Sequence, residues 1–169
     1  MTTERLYTPW RMKHITSDKK IETDCIFCDY QHADAVHDED NLLLHRGEHT
    51  FTVMNLYPYN CGHLLILPHD HVATLSDTST AAQCEIMKLA TYYTELLGDL
   101  MRPNGFNLGV NMGKAAGAGM DTHLHFHVVP RWDGDSNFMP VLGNARLLPE
   151  ELDTTYDKIV AAMRDNPPR

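Results

Sequence analysis

The chain has 169 residues and a formal net charge of −9 at pH 7, from 14 Lys and Arg against 23 Asp and Glu. Its length suits one domain with a buried core, and its acidic charge argues against a non-specific nucleic-acid-binding protein, which would carry a basic face. No apolar stretch is long enough to cross a bilayer, and the first residues lack the layout of a secretory signal. We therefore expect a cytoplasmic protein without a membrane or nucleic-acid partner.

The first half of the chain predicts an arm followed by three strands. Residues 1–24 have mixed charge and no clear period, which is typical of an arm that docks on a neighbouring surface. Residues 42–46 and 50–55 are predicted to form two strands joined by a turn at Gly47, and residues 63–67 continue as a third strand. Together they predict an antiparallel meander.

The second half predicts a long helix, two further strands and a short C-terminal helix. Residues 78–101 carry apolar side chains on one helical face, and the Pro-Asn-Gly turn at 103–105 ends the helix. A strand at 106–111 and a histidine-rich strand follow, and Pro149 opens a short helix that packs on the same body. Strands, one long helix and more strands predict an α+β fold. The apolar positions of the long helix are Ile86, Leu89, Ala90, Tyr93, Leu97 and Leu100.

Three histidines recur at every second position in the apolar run around residue 125. Because side chains alternate between the faces of a strand, the imidazoles should share one face while the intervening apolar side chains point into a core. The histidines are His123, His125 and His127, and the intervening residues are Leu124, Phe126 and Val128. A solvated histidine-rich face is the plain interpretation. A metal-binding triplet and a nucleophile flanked by its helpers are the functional ones.

Two other segments of the sequence help to interpret the three histidines. A Gly-His pair at Gly62 and His63 opens the third strand, and two more histidines follow that strand. A loop of small residues, 111–119, leads towards the histidine run. In order and spacing these segments resemble the histidine-triad (HIT) superfamily of nucleotide hydrolases and transferases, over about residues 25–140. The run Asn-Leu-Tyr-Pro-Tyr-Asn before Gly62, and residues 130–138, look most like the bacterial diadenosine tetraphosphate phosphorylase branch.

This resemblance implies a fold and a reaction. The fold is an antiparallel sheet with one long helix, and we divide the chain into an arm (1–24), a histidine-triad domain (25–140) and a C-terminal extension packed on it (141–169). The reaction is cleavage of dinucleoside polyphosphates through a nucleotidyl-histidine intermediate, by phosphorolysis of diadenosine tetraphosphate to ADP and ATP. Inorganic phosphate is then a second substrate.

The middle histidine, His125, is the best candidate nucleophile, because neighbours on both sides can hold the phosphate and its environment can fix the tautomer that leaves one nitrogen free. The resemblance assigns the nucleophile to the same residue. His127 would lie beside the phosphate and contribute positioning and charge. His63 matches the family's fourth histidine and would close the phosphate site from the side.

Substrate binding is expected from the small-residue loop and from one asparagine before it. Residues 113–119 let main-chain N–H groups approach phosphate oxygens. Many family members have Gln or Ser where this chain has Ala118 and Gly119, and Lys114 can compensate. Asn55 stands where the family holds the ribose hydroxyls, although a turn residue is an equally simple interpretation. Asn111, at the start of the loop, is also expected to contact substrate.

A Cys-x-x-Cys pair, Cys25 and Cys28, predicts a zinc site, and zinc needs two more ligands. In many bacterial members of the superfamily the positions of His71 and His123 complete the set, so the resemblance implies a structural zinc ion and no organic cofactor. The alternative is a reduced pair without metal, or a redox motif. His69 is a spare ligand. Core thiols are expected at Cys61 and Cys84, and surface positions at His14, His32, His37, His45 and His49.

Other functions remain open at this point. Water could replace phosphate as the acceptor, and a nucleoside phosphoramidate hydrolase would use the same residues. All three triad histidines could instead ligate a catalytic metal ion, or the chain could bind nucleotides without turnover. We also expect a homodimer or larger assembly, because the long helix and the strand at 106–111 offer apolar surface and the superfamily forms dimers in this way.

Overall fold

The computed structural model describes residues 24–135 and 148–168, so the predicted arm lies outside it except for Asp24, as do His14 and the end of the 130–138 motif. The helices are α1, α2 and α3, and the strands are β1 to β5. In chain order they are α1 (Ile26–His32), β1 (Leu43–Arg46), β2 (Thr50–Met54), β3 (Leu64–Pro68), α2 (Thr80–Met101), β4 (Gly105–Val110), β5 (Phe126–Arg131) and α3 (Leu152–Asp165). Short 3₁₀ turns lie at Ala35–His37 and Lys114–Ala116.

The five strands form one antiparallel sheet in the order β1-β2-β3-β5-β4. The chain leaves the meander after β3, passes through α2 to the far edge at β4, and returns so that β5 pairs with both β4 and β3. The predicted α+β fold with one long helix and a short C-terminal helix is confirmed. Strands β3 and β5 are neighbours in the interior of the sheet. His63 directly precedes β3, and His127 lies on β5.

Helix α2 covers one face of the sheet. Ser79 caps its start by accepting a hydrogen bond from the Ala82 N–H at 3.2 Å. Its buried stripe includes the predicted core positions, and Leu100 is partly buried against the same cluster. Cys61 is buried as predicted, but Cys84 is exposed, because it lies outside this stripe on α2. None of the helices within 24–135 and 148–168 combines the length and apolar character needed to cross a bilayer.

Side-chain alternation sorts the sheet into two faces. On β3, Leu64 and Ile66 join the core formed with α2, whereas Leu65 and Leu67 join a second cluster on the other face, against α1. His127 lies opposite Leu65 in the pairing of β5 with β3. The catalytic candidates therefore occupy the face that α2 leaves uncovered, and α1 lies on that face.

The histidine run departs from the prediction in one respect. Strand β5 begins at Phe126, so only His127 of the three triad histidines belongs to a strand. The residues before it are held elsewhere, since the Leu124 N–H donates to the Val72 carbonyl at 2.6 Å. All three imidazoles are buried, at 1% exposure for His123 and 7% for His125 and for His127. A solvated histidine-rich face is therefore wrong.

Helix α3 packs on α2 and β1, and the Tyr156 hydroxyl donates to the Leu43 carbonyl at 2.9 Å. The C-terminal helix therefore lies on the same core as the sheet. Among the histidines predicted at the surface, His32 and His37 are exposed, and His45 and His49 are partly buried.

Candidate active site and metal centre

His63 and His127 form a hydrogen-bonded pair whose proton positions follow from a third contact. The Tyr59 main-chain N–H donates to His63 Nδ1 at 2.9 Å, so a neutral His63 carries its proton on Nε2. This Nε2–H then donates to His127 Nδ1 at 2.9 Å. His127 consequently presents an N–H at Nε2. Burial, with a smaller contribution from His125, lowers the pKa of His127 to about 4, so its ring is neutral near pH 7.

His125 is held in the complementary tautomer. Its Nδ1 lies 2.8 Å from the His123 carbonyl oxygen, and because a carbonyl only accepts, Nδ1 must carry the proton. The Nε2 lone pair is thereby left free for attack. The ring lies 5.0 Å from the His127 ring and 5.6 Å from the Phe27 ring, measured between centroids. A ring nitrogen with a free lone pair and an N–H donor therefore stand side by side on one face of the sheet.

Asn111 and Tyr59 border the His127 ring. The Asn111 side-chain amide lies 3.4 Å from both the Tyr59 hydroxyl and His127 Nε2. Because His127 Nε2 carries a proton, it can donate a hydrogen bond to the Asn111 amide when the amide oxygen faces the imidazole. The Tyr59 ring stacks on His127 at 5.6 Å between centroids. Asn111 thus lies beside His127, and a substrate contact at Asn111 stays a prediction.

The small-residue loop is built as a tight turn. Gly113 and Gly117 have φ of +81° and +90°, values that glycine adopts readily. The Ala118 N–H donates weakly to the Gly113 carbonyl, at 3.4 Å, so a main-chain phosphate contact depends more on Gly119. The Lys114 side chain is 85% exposed and lies 4.0 Å from the Asp121 carboxylate. A phosphate contact by Lys114 stays a prediction.

The Asn55 side chain makes hydrogen bonds within its own loop. Its side-chain oxygen accepts from the Tyr57 N–H at 2.9 Å, and its amide nitrogen lies 3.3 Å from His63 Nδ1. This geometry agrees with a turn residue. A ribose contact at Asn55 stays a prediction.

Cys25, Cys28, His71 and His123 converge into a cluster that could hold a metal ion, with all four ligand atoms within 4.8 Å of one another. Cys25 Sγ and His123 Nδ1 are 3.3 Å apart, Cys28 Sγ and His71 Nδ1 are 3.2 Å apart, and Cys28 Sγ and His123 Nδ1 are 3.6 Å apart. A tetrahedral site with ordinary zinc–sulfur and zinc–nitrogen bonds separates such atoms by about 3.5 Å. The donor set therefore fits.

The surroundings of the cluster also suit a cation. His123 Nε2 lies 2.9 Å from the Pro68 carbonyl, so this nitrogen carries the proton and Nδ1 is free to coordinate, as is usual for a ligating histidine. Burial, together with the Cys25 side chain, raises the pKa of the Cys28 thiol to about 11. Metal binding is then accompanied by proton release. His69 bonds Gln31 and the Gly47 carbonyl instead.

The triad histidines do not converge on a single ion. Within the described ranges, the metal-competent cluster contains only His123 of the three. His125 Nδ1 is bonded to a carbonyl and His127 Nδ1 to His63. This arrangement disagrees with a catalytic metal held by all three rings.

The comparisons with known proteins agree with this geometry. The HIT domain family model matches residues 37–134, more than half of the chain. The chain belongs to the HIT family. This HIT protein is 35% identical over 157 residues to a protein of Mycobacterium tuberculosis named AP-4-A phosphorylase, which covers 90% of this chain and 80% of that protein. The resemblance to the diadenosine tetraphosphate phosphorylase branch is therefore confirmed.

Two further relatives broaden the comparison. An adenosine 5'-monophosphoramidase of Schizosaccharomyces pombe is 24% identical over 111 residues, covering 66% of this HIT chain and 80% of that protein. The crystal structure of a zinc-bound histidine triad family protein from Mycobacterium smegmatis superposes with a TM-score of 0.64 at 25% identity, covering 84% of this chain and 94% of that one.

Two site residues of this HIT chain received no role from the sequence. Tyr59 contacts both His63 and His127, and Phe27 lies against His123 and His125. Both stand inside motifs that the sequence does single out, the Tyr-Pro-Tyr-Asn run and the Cys-x-x-Cys pair. Their contacts depend on strand pairing, which local pattern does not specify.

Proposed function

We propose that this chain is a nucleotidyl transferase that cleaves dinucleoside polyphosphates, and that it converts diadenosine tetraphosphate and inorganic phosphate to ADP and ATP. The observation that carries the proposal is the pair of complementary tautomers. His125 has a free Nε2, and His127 beside it presents an N–H. The name of the M. tuberculosis relative supports the substrate.

In the first step, His125 Nε2 attacks the phosphorus next to one adenosine. A nitrogen–phosphorus bond forms, the bond to the bridging oxygen breaks, and ATP leaves. His127 Nε2–H can hydrogen-bond the leaving oxygen, or the equatorial oxygens as charge builds up on them. His63 holds His127 in the required tautomer.

In the second step, the acceptor takes the nucleotidyl group from His125. Phosphate yields ADP, whereas water yields AMP. Phosphate competes with far more concentrated water only if a pocket holds it in line. We assign that pocket to Lys114, His127 and the main-chain amides of Ala118 and Gly119, with Asn111 at its edge. Asn55 is the proposed ribose ligand.

We expect that diadenosine tetraphosphate with phosphate yields ADP and ATP, and that Lys114→Ala lowers the phosphate dependence more than it lowers formation of the intermediate. The reason is that Lys114 would contact the acceptor and not the attacking nitrogen. Product separation with and without phosphate measures this. Lys88→Ala is the matched control, because Lys88 is exposed on α2, on the opposite face of the sheet.

If AMP and ATP appear whether or not phosphate is present, the protein is a hydrolase and phosphorolysis is wrong. A phosphoramidate substrate is the second candidate, favoured by the name of the S. pombe relative. Release of AMP from an adenosine phosphoramidate, without cleavage of diadenosine tetraphosphate, would establish it. If the protein binds nucleotides but turns over neither substrate, it is a nucleotide-binding protein and not an enzyme for these substrates.

We also propose that Cys25, Cys28, His71 and His123 bind a structural zinc ion. The name of the M. smegmatis neighbour and the fit of the donor set support this. Bound zinc would cross-link α1 to the segments after β3 and before β5. His125 and His127 would remain for chemistry.

A homodimer or larger assembly is expected to form through β4. The apolar stripe of α2 is covered by its own sheet, so α2 does not supply the free surface, and β4 is an edge strand. Leu108 and Met112 beside this edge are 47% and 48% exposed. Light scattering should give at least twice the chain mass, and Leu108→Arg should weaken association by about tenfold or more.

Met87→Arg is the matched control for the assembly, since Met87 is 53% exposed on α2. A monomeric wild-type chain at micromolar concentration would refute the prediction. Dissociation by Met87→Arg, with Leu108→Arg intact, would move the interface to α2.

A further inference from the structure

Tyr59 contacts both histidines of the proton-bearing pair. Its ring lies 4.6 Å from the His63 ring and 5.6 Å from the His127 ring, between centroids, and it is almost parallel to His127, at 12°. Its main-chain N–H donates to His63 Nδ1 at 2.9 Å. Although the residue is 42% exposed, it therefore touches the pair through both its main chain and its ring.

The loop that carries Tyr59 is held at several points. Asn60 Nδ2 donates to the Pro130 carbonyl at 3.1 Å and to the Asp135 carboxylate at 2.8 Å. Gly62 has a φ of +70°, and a Cβ built there would stand 2.9 Å from Met101 Sδ, so the chain approaches α2 as only glycine permits. The bonds of Asn60 and the fixed backbone of Gly62 both hold the segment that directly follows Tyr59, and so they restrict where its ring can lie.

We propose that Tyr59 is a positioning residue for nucleotidyl transfer: its N–H sets the tautomer of His63, and its ring holds His127 with Nε2–H directed at the reacting phosphate. The inference rests on the proposed function for the reaction, but the tautomers and the ring stacking can be measured in the protein without substrate. The phenol hydroxyl has a smaller part in this proposal, since it lies 3.4 Å from the Asn111 side-chain amide.

The ring acts by restricting rotation of His127 and by excluding water. Within the described ranges, the polar and titratable groups that contact His127 are the imidazoles of His63 and His125, the Tyr59 phenol and the Asn111 amide. Burial is the largest cause of the low pKa of His127. Removing the aromatic ring admits water, so the pKa of His127 should rise towards its ordinary value of about 6.5.

The test uses Tyr59→Leu, Tyr59→Phe and the matched control Tyr57→Leu, from the same loop, where Tyr57 is 59% exposed. Tyr59→Leu keeps the main-chain N–H but loses the aromatic ring. We expect kcat on diadenosine tetraphosphate to fall by about 10- to 100-fold with KM changed less than about threefold. The acid limb of the kcat profile should move to higher pH. Tyr59→Phe should stay within about threefold of wild type, and Tyr57→Leu within about twofold.

Nitrogen-15 NMR of the histidines gives a readout that does not require activity. In Tyr59→Leu the Nε2–H tautomer of His63 should persist, because the main-chain donor remains, while the titration midpoint of His127 should rise by about one pH unit or more. Tyr59→Ala replaces the Leu variant if the latter does not fold.

Unchanged kcat and an unchanged His127 titration in Tyr59→Leu would overturn the inference. A rise in KM alone would make Tyr59 a substrate contact and would overturn it as well. If wild type cleaves no dinucleotide, the proposed function fails, and the NMR comparison still decides whether Tyr59 holds the histidine pair.

Discussion

Replacing His125 by Ala is expected to lower kcat by about 10⁴-fold or more while nucleotide binding and the fold persist. The variant loses the attacking Nε2, and no neighbouring group can replace it, because His127 Nδ1 accepts from His63 and its Nε2 carries a proton. Initial rates on diadenosine tetraphosphate measure the loss. Titration with a non-cleavable analogue measures binding.

His49→Ala is the matched control, because His49 is partly buried in the turn between β1 and β2 and lies outside the triad. Circular dichroism checks the fold of both variants. In wild type, rapid quenching at alkaline pH should trap one nucleotidyl group per site by intact-protein mass, since phosphorus–nitrogen bonds to histidine are labile in acid. If the kcat of His125→Ala stays within tenfold of wild type, His125 is not the nucleophile.

Zinc is expected at about one equivalent per chain, and Cys28→Ser is expected to lose both the metal and several kilocalories per mole of unfolding free energy. Helix α1 has no buried side chain of its own. Its C-terminal end is held by Arg46, which donates to the Gln31, Tyr30 and Ala33 carbonyls. Its N-terminal end carries the two thiols, so a bound metal ion would anchor that end in addition to the packing of Phe27. In zinc-finger peptides the binding free energy of a structural zinc ion is roughly 10–16 kcal/mol. We expect a smaller loss of unfolding free energy here, because the sheet and its helices form a core without the metal.

Elemental analysis and thermal unfolding, with and without chelator, measure this effect. Cys84→Ser is the control, because Cys84 is an exposed thiol on α2, and it should keep metal and stability. At a temperature where Cys28→Ser is folded, its kcat should stay within about tenfold of wild type, since His125 and His127 are outside the cluster. Zinc-free protein from a chelator-free preparation, or an abrupt loss of kcat without unfolding, would contradict a structural zinc site.

Local patterns in the sequence predicted the helices and strands and marked the candidate site residues. Two runs joined by a turn at Gly47 predicted strands at 42–46 and 50–55, within one residue of β1 and β2, and the helical stripe predicted the buried face of α2. Each element buries one face of its apolar side chains, and the spacing of those side chains is visible in a short stretch of sequence. The Cys-x-x-Cys pair likewise marked two of the metal-competent residues, because both thiols lie within one turn of chain.

Tertiary structure decided which partners each histidine contacts and where its proton lies. Cys25 and His123 meet across 98 positions of sequence and His63 and His127 across 64, so their contacts depend on strand order and register, which no local window contains. The same packing starts β5 at Phe126 and turns His123 to the thiols. Proton positions on the imidazoles follow from carbonyl and amide partners elsewhere in the fold. For that reason the tautomers on which the proposed roles of His125 and His127 rest could not be predicted from residue types alone.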